Sequence, residues 1–244
     1  VKKKILLNKK EGETPLMLLD SFRRKNPKYR DVKITYAGRL DPMASGLMLF
    51  LTGEEIKNKE KYLGLEKEYE FEVLFGFATD TYDILGKVTS LPQRQDLWGK
   101  GELRESIKQN LKYFEGDFLQ KYPFYSSPTI KHVRAGKQPL IQSHKVSVKK
   151  LQFLKLRTIN SETLLKNIEK RVAKVNGDFR QEEILKLWHK KLREDSRKYF
   201  IGSFRVRCGS GMYVRALSHD LGQNMGVPTL AYSIKRTKIG KWKL

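Results

Sequence analysis

The chain has 244 residues and carries 50 lysines and arginines against 27 aspartates and glutamates, a formal net charge of +23. That length allows one large domain or two small ones, and the charge excess points to a polyanionic partner, for which nucleic acid is the usual candidate. A single cysteine excludes an internal disulfide and a multi-cysteine zinc site, the four histidines show no metal-ligand spacing, and no apolar stretch approaches the ~20 residues needed to span a bilayer.

The opening Val1-Lys2-Lys3-Lys4-Ile5-Leu6-Leu7 has too few apolar residues for a signal-peptide core, so a cytoplasmic protein is expected, with residues 5–8 as a short strand. Lys9 to Glu13 form a loop. Thr14 as N-cap and Pro15 at the first helical position then start a helix with Leu16, Leu19 and Phe22 on one face. Arg23, Arg24 and Lys25 suit its C-terminal dipole, and Asn26-Pro27 stops it. Next comes Tyr36-Ala37-Gly38-Arg39-Leu40-Asp41-Pro42-Met43-Ala44-Ser45-Gly46, with one carboxylate between two glycines. Asp-Pro alone is ordinary turn punctuation. Here Pro42 restricts Asp41 to an extended conformation, and the buried-strand run Leu47–Leu51 follows, so the carboxylate sits on a stiff, anchored loop.

Tyr69, Phe71, Val73 and Phe75 alternate as one face of a strand, and Ala78 to Asp83 read as a polar loop. Gly86 precedes a short strand, Lys87–Thr89, and Leu103 to Phe114 are helical. Tyr122-Pro123-Phe124-Tyr125 is irregular and is followed by Lys131, His132, Arg134 and Lys137; aromatics interleaved with bases suit looped RNA, whose unstacked bases need a stacking platform. Val146–Phe153 read as a strand. Two amphipathic helices, 161–176 and 181–194, flank the break Asn176-Gly177-Asp178. A strand over 203–208 puts Cys208 beside Phe204 and Val206, as a core thiol rather than a nucleophile. Gly209-Ser210-Gly211 leads into a helix over 212–225, with Arg215 in its first turn. Strand-like pieces at 229–234 and 238–242 end the chain.

Asp41, Tyr69 and Arg215 form the candidate constellation. An arginine beside the aspartate would hold it ionised and aimed, and a nearby aromatic ring could stack on a flipped base. At these residues the sequence resembles the TruB-type tRNA pseudouridine synthases. Asn8-Lys9-Lys10-Glu11-Gly12 is similar to a family motif that usually reads Lys-Pro-x-Gly, with Lys10 at the proline position. Gly38 to Gly46 resembles the block that carries the catalytic aspartate. Lys67-Glu68-Tyr69 with Gly76-x-x-Thr79-Asp80-Thr81-x-Asp83-x-x-Gly86 is similar to a second block. Gly209 to Leu217 with Asp220-Leu221-Gly222 is similar to a third, and Ile234 to Gly240 resembles the closing block.

The resemblance implies an α+β pseudouridine synthase fold: a mixed, mostly antiparallel bent sheet flanked by helices, with a catalytic cleft across it. It implies isomerisation of a uridine flipped from an RNA loop, most often uridine 55 in the tRNA T loop. Asp41 would attack at the ribose C1′ or act as the base of a glycal route, Tyr69 would stack on the base, and Arg215 would pair with Asp41. Lys9, Tyr36, Arg39, Tyr125, Lys131, Ile234 and Arg236 are expected to contact the RNA. Thr79, Asp80, Thr81 and Asp83 are expected to shape the floor of the site. An isomerisation needs no cofactor or metal, and the expected partner is the tRNA T-arm, bound by a monomer.

Tyr36 stands where bacterial members usually carry a histidine. Residues 1–244 are expected to form one catalytic domain, with a basic thumb-like loop at about 121–145, a helical insertion at about 158–200 and no C-terminal RNA-binding domain. Loss of the insertion is expected to weaken RNA affinity or stability more than the chemical step. Two alternatives are a non-catalytic RNA-binding or RNA-folding protein on the same fold and a synthase for another RNA. A basic ribosome-associated protein would leave the Asp41 block unexplained.

Overall fold

The alternating run that begins at Tyr69 forms the central strand of one large sheet. The computed structural model describes residues 1–90, 99–126, 129, 133, 142–193 and 196–244. Its elements are β1 (Lys4–Lys9), α1 (Pro15–Lys25), β2 (Ile34–Tyr36), β3 (Ala44–Thr52), α2 (Lys59–Leu63), β4 (Lys67–Phe75), β5 (Ala78–Thr79), β6 (Val88–Ser90), α3 (Lys100–Leu111), β7 (Gly116–Lys121), β8 (Ser143–Asn160), α4 (Ser161–Val172), α5 (Gln181–Leu192), β9 (Lys198–Cys208), α6 (Val214–Met225), β10 (Thr229–Ile239) and β11 (Trp242–Lys243). The sheet order is β1-β3-β10-β4-β9-β8-β7, with β2 also on β3 and β11 on β10. Every pair in it is antiparallel except β10 with β3. This is the mixed, mostly antiparallel α+β sheet that the family resemblance implied.

Local chemistry accounts for the element ends. Thr14 Oγ1 accepts from the Met17 amide at 3.2 Å and Pro15 follows, so α1 starts where its cap predicts. The continuous apolar run of β3 is buried on both sides. Met48 and Phe50 join a cluster with Leu19 of α1, Leu103 and Ile107 of α3, and Leu217 and Leu221 of α6. Leu47, Leu49 and Leu51 point the other way, towards Tyr62 and Ile239. The Cys208 thiol lies in the first cluster, and burial pushes it up to about 12.

Strand β8 is much longer than the 146–153 stretch read from the sequence. Its register against β9 shifts between Val148 and Lys150 and again between Phe153 and Lys155. Each such irregularity resets the alternation that marks a half-buried strand, so the period-2 signal fades at Phe153 while pairing continues to Asn160 opposite Lys198. The ends of the expected insertion, 158–160 and 198–200, therefore belong to the sheet. Helices α4 and α5 cap a long hairpin. Leu164, Ile168 and Val172 of α4 pack with Ile184, Trp188 and Leu192 of α5, over Phe77, Ile159, Tyr199, Ile201 and Leu230. Trp188 and Tyr199 lie 5.0 and 4.8 Å from the Phe77 ring.

The 78–83 segment is more buried than a polar loop should be: Thr79, Thr81 and Asp83 are all shielded. They satisfy one another. Thr79 Oγ1 donates to the Asp83 carbonyl at 2.7 Å, Thr81 Oγ1 donates to Asp83 Oδ1 at 2.7 Å, and the Leu85 amide donates to the same oxygen at 3.0 Å.

Replacing Trp188 by alanine removes the largest buried side chain that joins the helical hairpin to the sheet. Urea unfolding should show a loss of about 3–5 kcal/mol, whereas Leu16→Ala, at a position 63 % exposed, should stay within about 0.5 kcal/mol of wild type.

Candidate active site

Asp41 lies in the turn between β2 and β3, and its carbonyl accepts from the Ala44 amide at 3.0 Å. The strand that follows pairs in parallel with β10, Gly46 opposite Arg236. A Cβ on Gly46 would sit 2.3 Å from the Arg236 carbonyl, and φ is +110° there, so only glycine fits. The turn is braced from behind at the next carbonyl, where Pro42 accepts from the Gly12 amide at 2.8 Å and from Lys9 Nζ at 3.3 Å.

Arg215, in the first turn of α6, is 4 % exposed and reaches the aspartate with Nε, 2.8 Å from Asp41 Oδ2. The same guanidinium donates to the Thr81 carbonyl at 2.6 Å and to the Tyr125 carbonyl at 3.4 Å, and lies 3.8 Å from Asp83 Oδ2. Burial works against its charge, but Asp41 and Asp83 outweigh that, and its pKa stands above the ordinary value. Burial raises the Asp83 carboxyl, even with Arg215 pulling the other way. The two carboxylates thus have different surroundings. Asp83 is enclosed and fixes the guanidinium, whereas the Asp41 side chain is 40 % exposed and open to a ligand.

Tyr69 lies on the buried face of β4, paired in register with Arg236 of β10. Burial raises its phenol above the ordinary value; Arg236 opposes that and the nearby Asp41 charge adds to it. Ile234, two residues before Arg236, is buried in the same cluster as Tyr69. Tyr36 is half-buried, edge-on to Phe50, and its hydroxyl accepts from Arg39 Nε at 3.0 Å, leaving Arg39 exposed beside the loop. Tyr125 meets the site through its carbonyl. Lys131 lies outside the described residues.

Lys9 and Arg236 are placed differently from the RNA contacts the sequence implied. Lys9 is fully buried, and its three donors face the carbonyls of Lys10, Glu13 and Pro42. Arg236 is 1 % exposed and donates to the carbonyls of Leu47, Arg39 and Gly38. Both cations are enclosed by backbone carbonyls of the Asp41 loop and the segments beside it, so they brace the loop from inside the protein. The departure at Lys10 also has a local reason: its amide donates to Glu13 Oε2 at 2.9 Å, a bond proline could not make.

Three residues that sequence reasoning passed over hold the site together. Gln120 of β7 is fully buried, accepts from the Tyr213 amide at 2.8 Å and donates to the Tyr213 carbonyl at 3.1 Å, which fixes the start of α6 two residues before Arg215. Tyr82 takes a left-handed backbone, φ +64°, and stacks on His219 with ring centroids 4.0 Å apart. That strained turn aims the Thr81 carbonyl at Arg215. Arg180, at the entry to α5, crosses to Asp80 at 2.7 Å. Glutamine in a strand and arginine in a helical hairpin carry no local signal; only the tertiary fold reveals them.

The sequence model of the TruB family pseudouridylate synthase (N terminal domain) matches residues 24–176, more than half of the chain. Among curated proteins, a tRNA pseudouridine synthase B of Aquifex aeolicus is 27 % identical over 242 residues, covering 96 % of this chain and 67 % of that protein. Its namesake in Opitutus terrae is 29 % identical over 243 residues, covering 98 % and 82 %. A chain in the crystal structure of a Cbf5-Nop10-Gar1 complex superposes with a TM-score of 0.57 at 18 % identity, and one in an H/ACA RNP bound to a substrate RNA containing 2'-deoxyuridine with 0.54, also at 18 % identity; both matches cover 98 % of this chain. The chain spans about half the length of these solved chains, and the likeness to them is one of fold.

Burial pushes the Lys9 ammonium down to about 8. An unfolded lysine titrates near 10.4, so between these values the unfolded chain holds more protons and this group makes stability rise with pH. Chemical denaturation at pH 7 and pH 9.5 should show wild type gaining on Lys9→Met by about 1–2 kcal/mol. A difference that stays constant between the two pH values would contradict the buried, charged state.

Proposed function

The chain belongs to the TruB family of pseudouridylate synthases, and from that premise we propose that it converts uridine to pseudouridine in tRNA, at uridine 55 of the T loop. The observation that carries the reading is the Arg215–Asp41 contact of 2.8 Å on a glycine-bounded loop, with Tyr69 buried close by.

A carboxylate that acts on C1′ must be anionic and aimed. Arg215 supplies a charge-assisted hydrogen bond to one oxygen and leaves the side chain accessible. The target uridine swings out of the T loop, where unstacking is cheaper than in a duplex, and its base lies against Tyr69 and Ile234. Asp41 then adds to C1′ or removes the neighbouring ribose proton to open the glycal route. The C1′–N1 bond breaks and the uracil turns; C5 then bonds to C1′ as Asp41 leaves that carbon or returns the ribose proton, and the loss of the C5 proton is balanced by a proton gained at N1. Substrate and product are isomers, so the reaction consumes nothing else.

Tyr36 fills the space vacated by the flipped base, with Arg39 reaching the adjacent backbone. The unpaired part of the cationic surface holds the phosphates of the T-arm, which makes affinity fall with added salt.

Incubation of an unmodified tRNA transcript with the purified protein, followed by pseudouridine mapping, should show one new pseudouridine, at the T-loop uridine. Conversion at another position would overturn the T-arm assignment. No conversion in tRNA, with RNA still bound, would overturn the enzyme reading for this substrate.

A further inference from the structure

The helical hairpin α4–α5 touches the active site at two points, through two arginines that the reaction described above does not use. Arg171, in the last turn of α4, faces Glu11 with both Nε and a terminal nitrogen, at 3.1 and 2.6 Å. Both side chains are largely shielded, 12 % and 19 % exposed, and Lys174 adds a second cation at 3.3 Å. Burial works against the Glu11 charge, but Arg171 and Lys174 hold its carboxyl below the usual range. Gly12 follows. A Cβ there would lie 2.5 Å from the Lys174 carbonyl, and φ is +91°, so the loop lies flush against the end of α4. On its opposite side the same glycine donates its amide to the carbonyl of Pro42, the residue after Asp41.

Arg180 makes the second contact. It has a left-handed backbone, φ +63°, and leans out of the α4–α5 turn. Its guanidinium lies 2.7 Å from Asp80 and 4.8 Å from the centre of the Tyr125 ring. Asp80 precedes Thr81, and the Thr81 and Tyr125 carbonyls both accept from Arg215. One arginine of the hairpin thus buttresses the loop behind Asp41, and the other buttresses both carbonyls behind Arg215. The hairpin itself is fixed to the sheet through the Phe77, Trp188 and Tyr199 contacts, so it has a rigid base to brace from.

We propose that the α4–α5 hairpin is a positioning device for the catalytic pair, with Arg171 and Arg180 as positioning residues that hold Asp41 and Arg215 in register. Breaking either arginine contact, with the hairpin's packed base left intact, then slows the chemical step and spares RNA affinity. The inference rests on the reading of Asp41 as the reacting group.

The informative variants are Glu11→Gln, which keeps the shape and removes the charge, Arg180→Met, and the reversed pair Glu11→Arg with Arg171→Glu. Single-turnover rates at saturating tRNA should fall at least about tenfold in Glu11→Gln and in Arg180→Met, with tRNA affinity within about twofold of wild type, and the reversed pair should recover part of the rate. Hydrogen exchange at the Gly12 amide should quicken in Glu11→Gln, because that amide reports the bond to Pro42. Rates within about twofold of wild type, or a loss of affinity with an unchanged saturated rate, would overturn the proposal. If the wild type itself makes no pseudouridine, the functional reading falls, and Gly12 exchange decides the brace: protection unchanged in Glu11→Gln overturns it, and faster exchange upholds it.

Discussion

The structure turns on one buried guanidinium. Arg215 is only 4 % exposed, and an unpaired charge in such a place would be heavily penalised. Its partners come from three separate parts of the chain: Asp41 from the β2–β3 turn, Thr81 and Asp83 from the segment after β4, and Tyr125 from the stretch after β7. None of the three contributing segments is regular helix or strand where it touches the arginine. Their convergence satisfies the charge, and the charge in turn holds them together. Of the two carboxylates, Asp41 keeps substantial exposure and Asp83 does not.

A second layer of cations supports the first. Lys9 and Arg236 are enclosed by backbone carbonyls of the Asp41 loop and its surroundings, and Arg171 and Arg180 clamp the loops behind it. A net charge of +23 invites every lysine and arginine to be read as a phosphate contact. Several of the cations nearest the chemistry are instead structural. Turns shaped by glycine and proline leave carbonyls without ladder partners, and a buried donor with several hydrogens satisfies more than one of them at once. Position in a motif does not decide a cation's role: Arg39 of the Asp41 block is exposed, whereas Arg236 of the closing block is buried.

Most of the fold was legible where local signals were strong. The Thr14-Pro15 cap, the alternation from Tyr69 to Phe75 and the two helices around Gly177 all stand where periodicity puts them. Strand β8 was cut short because its irregularities broke the alternation. At the site, the types and order of Asp41, Tyr69 and Arg215 were readable, and their meeting was not, since 174 residues separate Asp41 from Arg215. Lys9 and Arg236 were misjudged for a related reason: a basic residue in a motif looks the same whether it faces a phosphate or a carbonyl. Gln120 gave no sequence signal, because its role consists of reading both backbone groups of a residue 93 positions away.

The central claim is that the Asp41 carboxylate acts on the bound nucleoside. Asp41→Asn keeps the shape of the side chain and its access to Arg215, and removes the nucleophilic charge. The most direct measurement compares this variant with wild type on one tRNA transcript, reading equilibrium binding and single-turnover pseudouridine formation from the same preparations. The account predicts binding within about twofold of wild type and no detectable pseudouridine. Turnover that survives in Asp41→Asn, or a loss of binding as deep as the loss of turnover, would contradict it.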